Sequence, residues 1–454
     1  MFRAGYACRK ITPLKNLELA GVGGPPRPGE PGSHDLFVKV VILDDQTQQL
    51  ILLSFDLMYV SRPLRQELET WLHQKFGLPP DALFCTATHT HGAPLSLDVY
   101  FDNPTLDVAY LDKVTSESRV AILEAMEKLY DATLFHGSNN CQLSINRRRF
   151  VPDRSALKRG KIIWKLLNRP NPNGIVDNVL SVISIRFAAK GVKEILILST
   201  GCHPSILRNN IISPDFPGYI EEKLKKAGKD CHVVFLQGFS GNTRASIVEN
   251  IPFSLRSPGA VFDYLFDRKR FRKNSDEADV CEVSGKISES VKATKFTQVF
   301  SPSLSASSTK AELELEQLPV KSYFGNLADN PSENQSRRRY ARYVADHYDD
   351  LATIDISINL WRLGKGISLM GFEGEMFAEY AHWLRNVGLD KGDMLVPVSC
   401  AHGMRGYIPT ASSLAEGGYE VDRSRPIFGI PARFKSSIEA NIKSASTELL
   451  SRLQ

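Results

Sequence analysis

The sequence predicts an α/β fold built on mixed sheet, and three observations predict it. Apolar, β-rich runs alternate with segments of helical spacing; four of those runs stop at small, polar or ligand-type residues; and two histidines two residues apart, His89 and His91, close one of them. Ligands of open α/β sheets collect beyond the carboxyl ends of the strands, so these four strand ends are where a site is expected.

Residues 36 to 60 hold two apolar runs joined by a turn at Asp44-Asp45, then helical spacing through Arg65 to His73: a hairpin feeding a helix. A strand at Ala82 to Ala87 delivers Thr88-His89-Thr90-His91. Residues i and i+2 of extended backbone face the same side, which is how a strand offers imidazole nitrogens to a metal. An amphipathic helix is expected from about Leu111 to Leu129. The strand Glu194 to Leu198 runs into Thr200-Gly201-Cys202-His203-Pro204, and Val233 to Leu236 runs into Gln237-Gly238-Phe239-Ser240-Gly241-Asn242. The run Ile367 to Gly371 ends before Glu373-Gly374-Glu375, and Met376 to Arg385 has helical spacing. One domain over residues 1–454 is expected, with an insertion or mobile excursion at about 250–345. That segment carries the serine-rich Ser301-Pro302-Ser303-Leu304-Ser305-Ala306-Ser307-Ser308 and turns helical near Arg337 to Tyr348.

Composition narrows the class. The 454 residues are 42% hydrophobic and 24% charged, ordinary for a chain that buries a substantial core. A net charge of +5 is small for this length, so nucleic-acid binding is not demanded. The basic residues cluster only at Asn146-Arg149, Asp267-Lys273 and Arg337-Arg339; the second cluster is expected as a solvated helix face, with contact to an acidic headgroup or partner as the alternative. Seven cysteines, an odd number without a CxxC pair, predict reduced thiols and a cytoplasmic setting. No stretch approaches the roughly 18 apolar residues that span a bilayer, and the first residues lack the apolar core of an export signal. Peripheral membrane contact stays open, and nothing indicates an oligomeric state.

Taken in order, these segments resemble the neutral, non-lysosomal ceramidase family. The opening Ala4-Gly5-Tyr6-Ala7-Cys8-Arg9-Lys10-Ile11-Thr12-Pro13 is similar to that family's start, and Ala87-Thr88-His89-Thr90-His91-Gly92-Ala93-Pro94 to its double-histidine signature. Ile145-Asn146-Arg147 matches its Asn-Arg element, Cys202-His203-Pro204-Ser205 its His-Pro motif, and Ser213-Pro214-Asp215-Phe216-Pro217-Gly218-Tyr219 the Asp, Gly and Tyr that follow. Gly374-Glu375-Met376 resembles its Gly-Glu element, and Tyr407 and Tyr419 match a pair of tyrosines with the same separation. The resemblance implies a mixed-sheet catalytic domain with Zn2+ held by His89, His203, Glu375 and Tyr407 at the strand ends. It leaves His91 to touch the substrate oxygen or relay a proton, and Arg147 and Tyr419 to hold the scissile group. Two imidazoles and a carboxylate suit a catalytic zinc shell, whereas tyrosine is an unusual extra ligand.

The chain departs from the family in two places. Where the family carries Gly-Asp-x-Ser, with the serine implicated as nucleophile, this sequence has Gly241-Asn242-Thr243-Arg244, and arginine cannot attack a carbonyl. The expected reaction is therefore direct attack by zinc-activated water, with Thr243 and Ser240 as the alternative hydroxyls and Asn242 and Arg244 as substrate-binding residues. The family's enzymes are exported and carry a further β-sandwich, whereas this sequence stops shortly after Phe428-Gly429-Ile430-Pro431. The expected substrate is thus a small N-acylated or N-acetylated molecule, an amino sugar or sugar nucleotide whose anionic group Arg244 pairs. The alternatives are an amidase of ceramide or another lipid, and a catalytically silent zinc-binding or partner-binding protein. His34, His73, His136, His232, His347, His382 and His402 are assigned to structure or surface, and Asp56 to orienting a ligand histidine or capping a turn.

Overall fold

The computed structural model describes residues 1–21, 28–97, 99, 101, 106–157, 159–207, 210–251, 261, 264–265, 269–351, 353–390 and 392–452. The expected hairpin is strands Phe37–Asp44 and Gln49–Phe55, paired antiparallel from Val38↔Phe55 to Asp44↔Gln49. Asp45 closes its turn by accepting from the backbone N–H of Thr47 (2.9 Å) and Gln48 (2.7 Å). Helix Arg62–Phe76 follows, capped by the Ser61 side chain at Leu64 N and ended by Gly77 at φ 69°. Its Leu64, Leu68 and Leu72, four residues apart, form the buried stripe.

Two sheets carry the site. The larger runs, in spatial order, Cys231–Gln237, Glu194–Thr200, Val179–Phe187, Tyr130–Asn140, Arg3–Lys10, Phe37–Asp44, Gln49–Phe55 and Leu83–Ala87, with Thr297–Gln298 pairing onto Tyr130–Asn140. Both terminal pairs are parallel, Gln49–Phe55 with Leu83–Ala87 and Glu194–Thr200 with Cys231–Gln237; the inner pairs are antiparallel. Ser54 Oγ donates to Phe235 O at 2.6 Å, tying one end of the sheet to the other. The second sheet is Ser305–Glu314, Thr353–Arg362, Ile367–Phe372 and Met394–Val398, the last two parallel. Leu83–Ala87 and Ile367–Phe372 are wholly buried, which explains their uninterrupted apolar sequences.

Two expectations change. Residues 269–345 are built into the fold rather than set aside from it: helix Glu277–Ala293 buries Val280, Val283, Ile287 and Val291 in the core, and the serine-rich stretch leads into Ser305–Glu314, which buries Ala311 and Leu313. Ser305 to Thr309 are half-buried throughout, and alternation begins only at Lys310, exposed between the half-buried Thr309 and the buried Ala311. Lys269–Phe271 of the basic stretch is a strand paired with Val248–Asn250, not a helix face; Asp267 and Arg268 lie outside the described residues. All seven cysteines are free.

Candidate metal centre

Four chain segments leave strand ends and converge. After Ala87 the chain does not continue extended: His89 takes the left-handed conformation at φ 66°, its N–H bonding Leu57 O at 2.9 Å. A non-glycine residue there costs on the order of 1 kcal/mol, and the buried surroundings hold it. The two imidazoles thus meet through a turn, with ring centroids 5.2 Å apart and planes at 83°, and not through the alternation of a strand. Gly21, at φ 73°, brings its own carbonyl against His91; a Cβ on it would lie 2.4 Å from the His91 Nδ1.

His203 follows strand Glu194–Thr200. Its loop is fixed by Asp215, a buried residue at φ 51° whose carboxylate accepts from the N–H of Ile206 (2.8 Å), Leu207 (3.0 Å) and Phe216 (2.7 Å). Glu375 follows Ile367–Phe372 through Gly374 at φ 122°, where a side chain would meet Ile408 and the Gly406 carbonyl. Glu375 and Tyr407 are register partners in a two-residue parallel ladder, so the motifs that carry them become neighbours. Gly241 lets the loop after Cys231–Gln237 close over them, since its Cβ would lie 2.5 Å from Glu375 O.

The donor set is organised by backbone carbonyls. His89 Nδ1 bonds Met58 O (2.9 Å), His91 Nδ1 bonds Gly21 O (3.1 Å) and His203 Nδ1 bonds Ser240 O (3.4 Å). A carbonyl only accepts, so each Nδ1 carries a proton, and each Nε2 presents a lone pair whenever its ring is neutral. One ligand-type nitrogen from each of the three rings falls within 4.8 Å of the others, and the Nε2 atoms of His91 and His203 are 3.0 Å apart. His89 Nε2 and Glu375 Oε2, 3.5 Å apart and fully buried, have no hydrogen-bond partner. Tyr59 donates to the other carboxylate oxygen of Glu375 at 3.1 Å. Convergent lone pairs beside an unpaired carboxylate oxygen, all dehydrated, fit a divalent cation; without one, each orphaned atom is a desolvation penalty.

Electrostatics agree. Burial, with the positive charge of nearby Arg147, holds His203 well below the ordinary imidazole range, so it stays a neutral donor. Burial opposes charge on His89 too, but Cys400 and Glu375 outweigh it and raise its pKa. Burial and Glu375 hold the Tyr407 phenol well above its usual value against the opposing pull of Arg147, so an ionised phenol there needs a cation in front of it.

Arg147 enters from strand Ser144–Pro152, its guanidinium 5.3 Å from the Tyr407 ring centroid, donating to Gly241 O (2.7 Å) and Glu420 Oε1 (2.9 Å). Arg148 takes the other oxygen of Glu420 at 2.8 Å, and all three side chains are buried. Tyr419 packs edge-on to Tyr407 at 5.9 Å. The structure therefore brings together His89, His91, His203, Glu375, Tyr407, Arg147 and Tyr419.

Asn242 and Arg244 are placed differently. Asn242 is fully buried, donating to Glu379 (2.8 Å) and accepting from Ala378 N (2.9 Å) at the start of helix Ala378–Asp390, so its amide groups serve the fold. Arg244 stacks over the Phe271 ring at 4.1 Å. The Thr243 hydroxyl donates to the carbonyls of Gly201 and Ser240, and Ser240 Oγ accepts from Gln237. Asp56 accepts from Phe37 N and holds no ligand histidine. Sequence reading missed Tyr59, gave no role to Asp215 or Glu420, and missed the carbonyls of Gly21, Met58 and Ser240, which no residue type marks.

The fold has solved counterparts. The neutral ceramidase of Pseudomonas aeruginosa superposes with a TM-score of 0.70 at 15% identity, over 100% of this chain and 74% of that one. The chain has the neutral ceramidase fold. A structure described as a ceramidase complexed with C2 matches equally, with a TM-score of 0.69, 15% identity and coverage of 100% and 75%. No protein-family model and no curated protein sequence matches the chain. The mixed-sheet α/β class expected from the sequence is thus the one found, with a cluster of three histidines beyond its strand ends.

Proposed function

We propose that the protein is a metal-dependent amidohydrolase that releases the acyl group from an N-acylated substrate. The observation that carries this reading is the convergence of three carbonyl-fixed imidazoles on one another, with the orphaned Glu375 Oε2 3.5 Å from His89 Nε2. Its nitrogen and oxygen donors suit zinc, with His89, His203, Glu375 and Tyr407 as ligands. A bound divalent metal supplies Lewis acidity at the scissile carbonyl and a hydrolytic nucleophile near neutral pH.

The chain's own residues supply the rest. His91 is the one imidazole of the three that is not fully buried, and its Nε2 lone pair accepts or returns a proton on the substrate side. Arg147, fixed by Glu420 and Gly241 O, holds positive charge where the carbonyl oxygen becomes anionic. Tyr419 lines the same wall. The buried hydroxyls of Thr243 and Ser240 stay in their backbone and amide hydrogen bonds, which favours attack by water over an acyl-enzyme.

Arg244, standing where the resembled family carries serine, motivates an anionic substrate such as an N-acyl amino sugar or its nucleotide conjugate. Zinc-loaded protein is to be assayed for released amine on N-acyl amino sugars, sugar nucleotides, acyl amino acids and ceramide. Release from the sugar panel supports the full reading; release from ceramide alone overturns the substrate class. Release from none, with zinc bound, leaves a silent metal-binding fold.

A further inference from the structure

The hairpin that brings Arg147 to the metal centre ends, at its other extremity, in exposed apolar residues. Strands Ser144–Pro152 and Trp164–Asn171 pair antiparallel from Asn146↔Asn171 to Pro152↔Trp164. Trp164 of that last pair is 57% exposed, Ile162 and Ile163 just before it are 75% and 46% exposed, and Phe150 on the same hairpin is 45% exposed. Three large apolar side chains in succession where a loop enters a strand are not an accident of surface composition; they need something apolar to cover them.

The charges beside them say what kind of cover. Arg159, Lys161 and Lys165 bracket the apolar run and are exposed. Strand Lys269–Phe271 packs alongside Trp164–Asn171 and adds the exposed Lys269, with Lys273 just beyond it. Lys165 pairs with Asp153, but Arg159, Lys161, Lys269 and Lys273 have no carboxylate partner among the described residues. An apolar tip holding a tryptophan, ringed by uncompensated cations, matches a lipid interface: apolar groups enter the acyl boundary, the indole sits at headgroup level and the cations meet anionic headgroups. A protein partner of ordinary composition does not call for cations on every side of the tip.

We propose that the hairpin tip Ile162-Ile163-Trp164, with the flanking Arg159, Lys161, Lys269 and Lys273, docks the protein onto an anionic membrane surface. Docking is independent of the metal chemistry. It also bears on the site, because Leu166 of the same hairpin abuts Gly418, next to Tyr419 and Glu420.

The test is co-sedimentation of the full chain with vesicles of phosphatidylcholine alone and with added phosphatidylserine, at low and physiological salt. Wild-type protein sediments with the serine-containing vesicles, less so as salt rises, and its tryptophan emission shifts to the blue. The double variant Ile162→Ser, Trp164→Ser and the variant Lys161→Glu, Lys269→Glu each bind at least roughly tenfold more weakly. All four positions are exposed, so circular dichroism and the thermal midpoint stay at wild-type values. Wild-type protein that fails to sediment at low salt overturns the proposal, as do variants that bind normally. Concentration-dependent self-association abolished by Trp164→Ser would instead assign the tip to a contact between copies of this chain.

Discussion

His91 and His203 approach Nε2 to Nε2 at 3.0 Å while each Nδ1 is committed to a backbone carbonyl. Two imidazole lone pairs facing at that distance repel unless a proton lies between them or a cation takes up the His203 lone pair. Metal removal should therefore destabilise the folded chain as well as silence it. The stabilisation is about 4 kcal/mol when free metal exceeds its Kd a thousandfold. Calorimetry before and after chelation, with zinc added back, measures it; an unchanged midpoint counts against a metal at these residues.

His89 and His91 should separate by function. His89→Ala removes a buried ligand, so zinc by elemental mass spectrometry should fall from near one per chain toward none, with activity. His91→Ala should keep its zinc and lose roughly 100-fold or more in kcat. Loss of metal in both variants would move His91 into the ligand set.

Glu420 is the shared counter-ion of two buried arginines. Removing its charge in Glu420→Gln leaves Arg147 and Arg148 undercompensated and should cost roughly 3 kcal/mol of stability, along with activity. Glu416 also pairs with Arg148 but is 41% exposed, so Glu416→Gln should cost less than about 1 kcal/mol. Denaturant titration of both variants decides; equal costs would mean that Glu420 is no keystone.

Asp56 gives a pH signature. Burial lifts its carboxyl to about 6, against Lys39 and the Phe37 N–H, from an ordinary value of 3.8. A raised folded pKa means that the protonated form suits the fold. Asp56 therefore costs nothing below about pH 4, then a growing penalty between pH 4 and 6 that levels off near 3 kcal/mol. Asp56→Asn should gain on the wild type by up to that amount across the window and hold the gain above it. Urea unfolding at a series of pH values tests this, and a pH-independent gap excludes it.

The strand ends that carry His89, His203 and Glu375 were legible from the apolar runs before them, whereas joining those residues with Tyr407 as one candidate ligand set rested on the family resemblance and not on any local pattern. Asn242 and Arg244 were read as substrate-binding from their place in Gly241-Asn242-Thr243-Arg244; that Asn242 also braces a helix and Arg244 stacks on Phe271 is not visible there. Serine-rich 301–308 was read as part of an insertion or mobile excursion; its second half, from Ser305, is strand, and half-buried serines without alternation give no strand signal.

Local sequence, then, determined the element types, the strand ends and the candidate donors, since periodicity, turn chemistry and residue type are properties of neighbours along the chain. Tertiary structure alone decided the left-handed turn that aims His89, the pairing of Glu375 with Tyr407, the carbonyls that set each imidazole's tautomer and the sharing of Glu420 between Arg147 and Arg148. These relations join segments up to hundreds of residues apart through backbone atoms that every residue possesses, and only packing selects which of them meet.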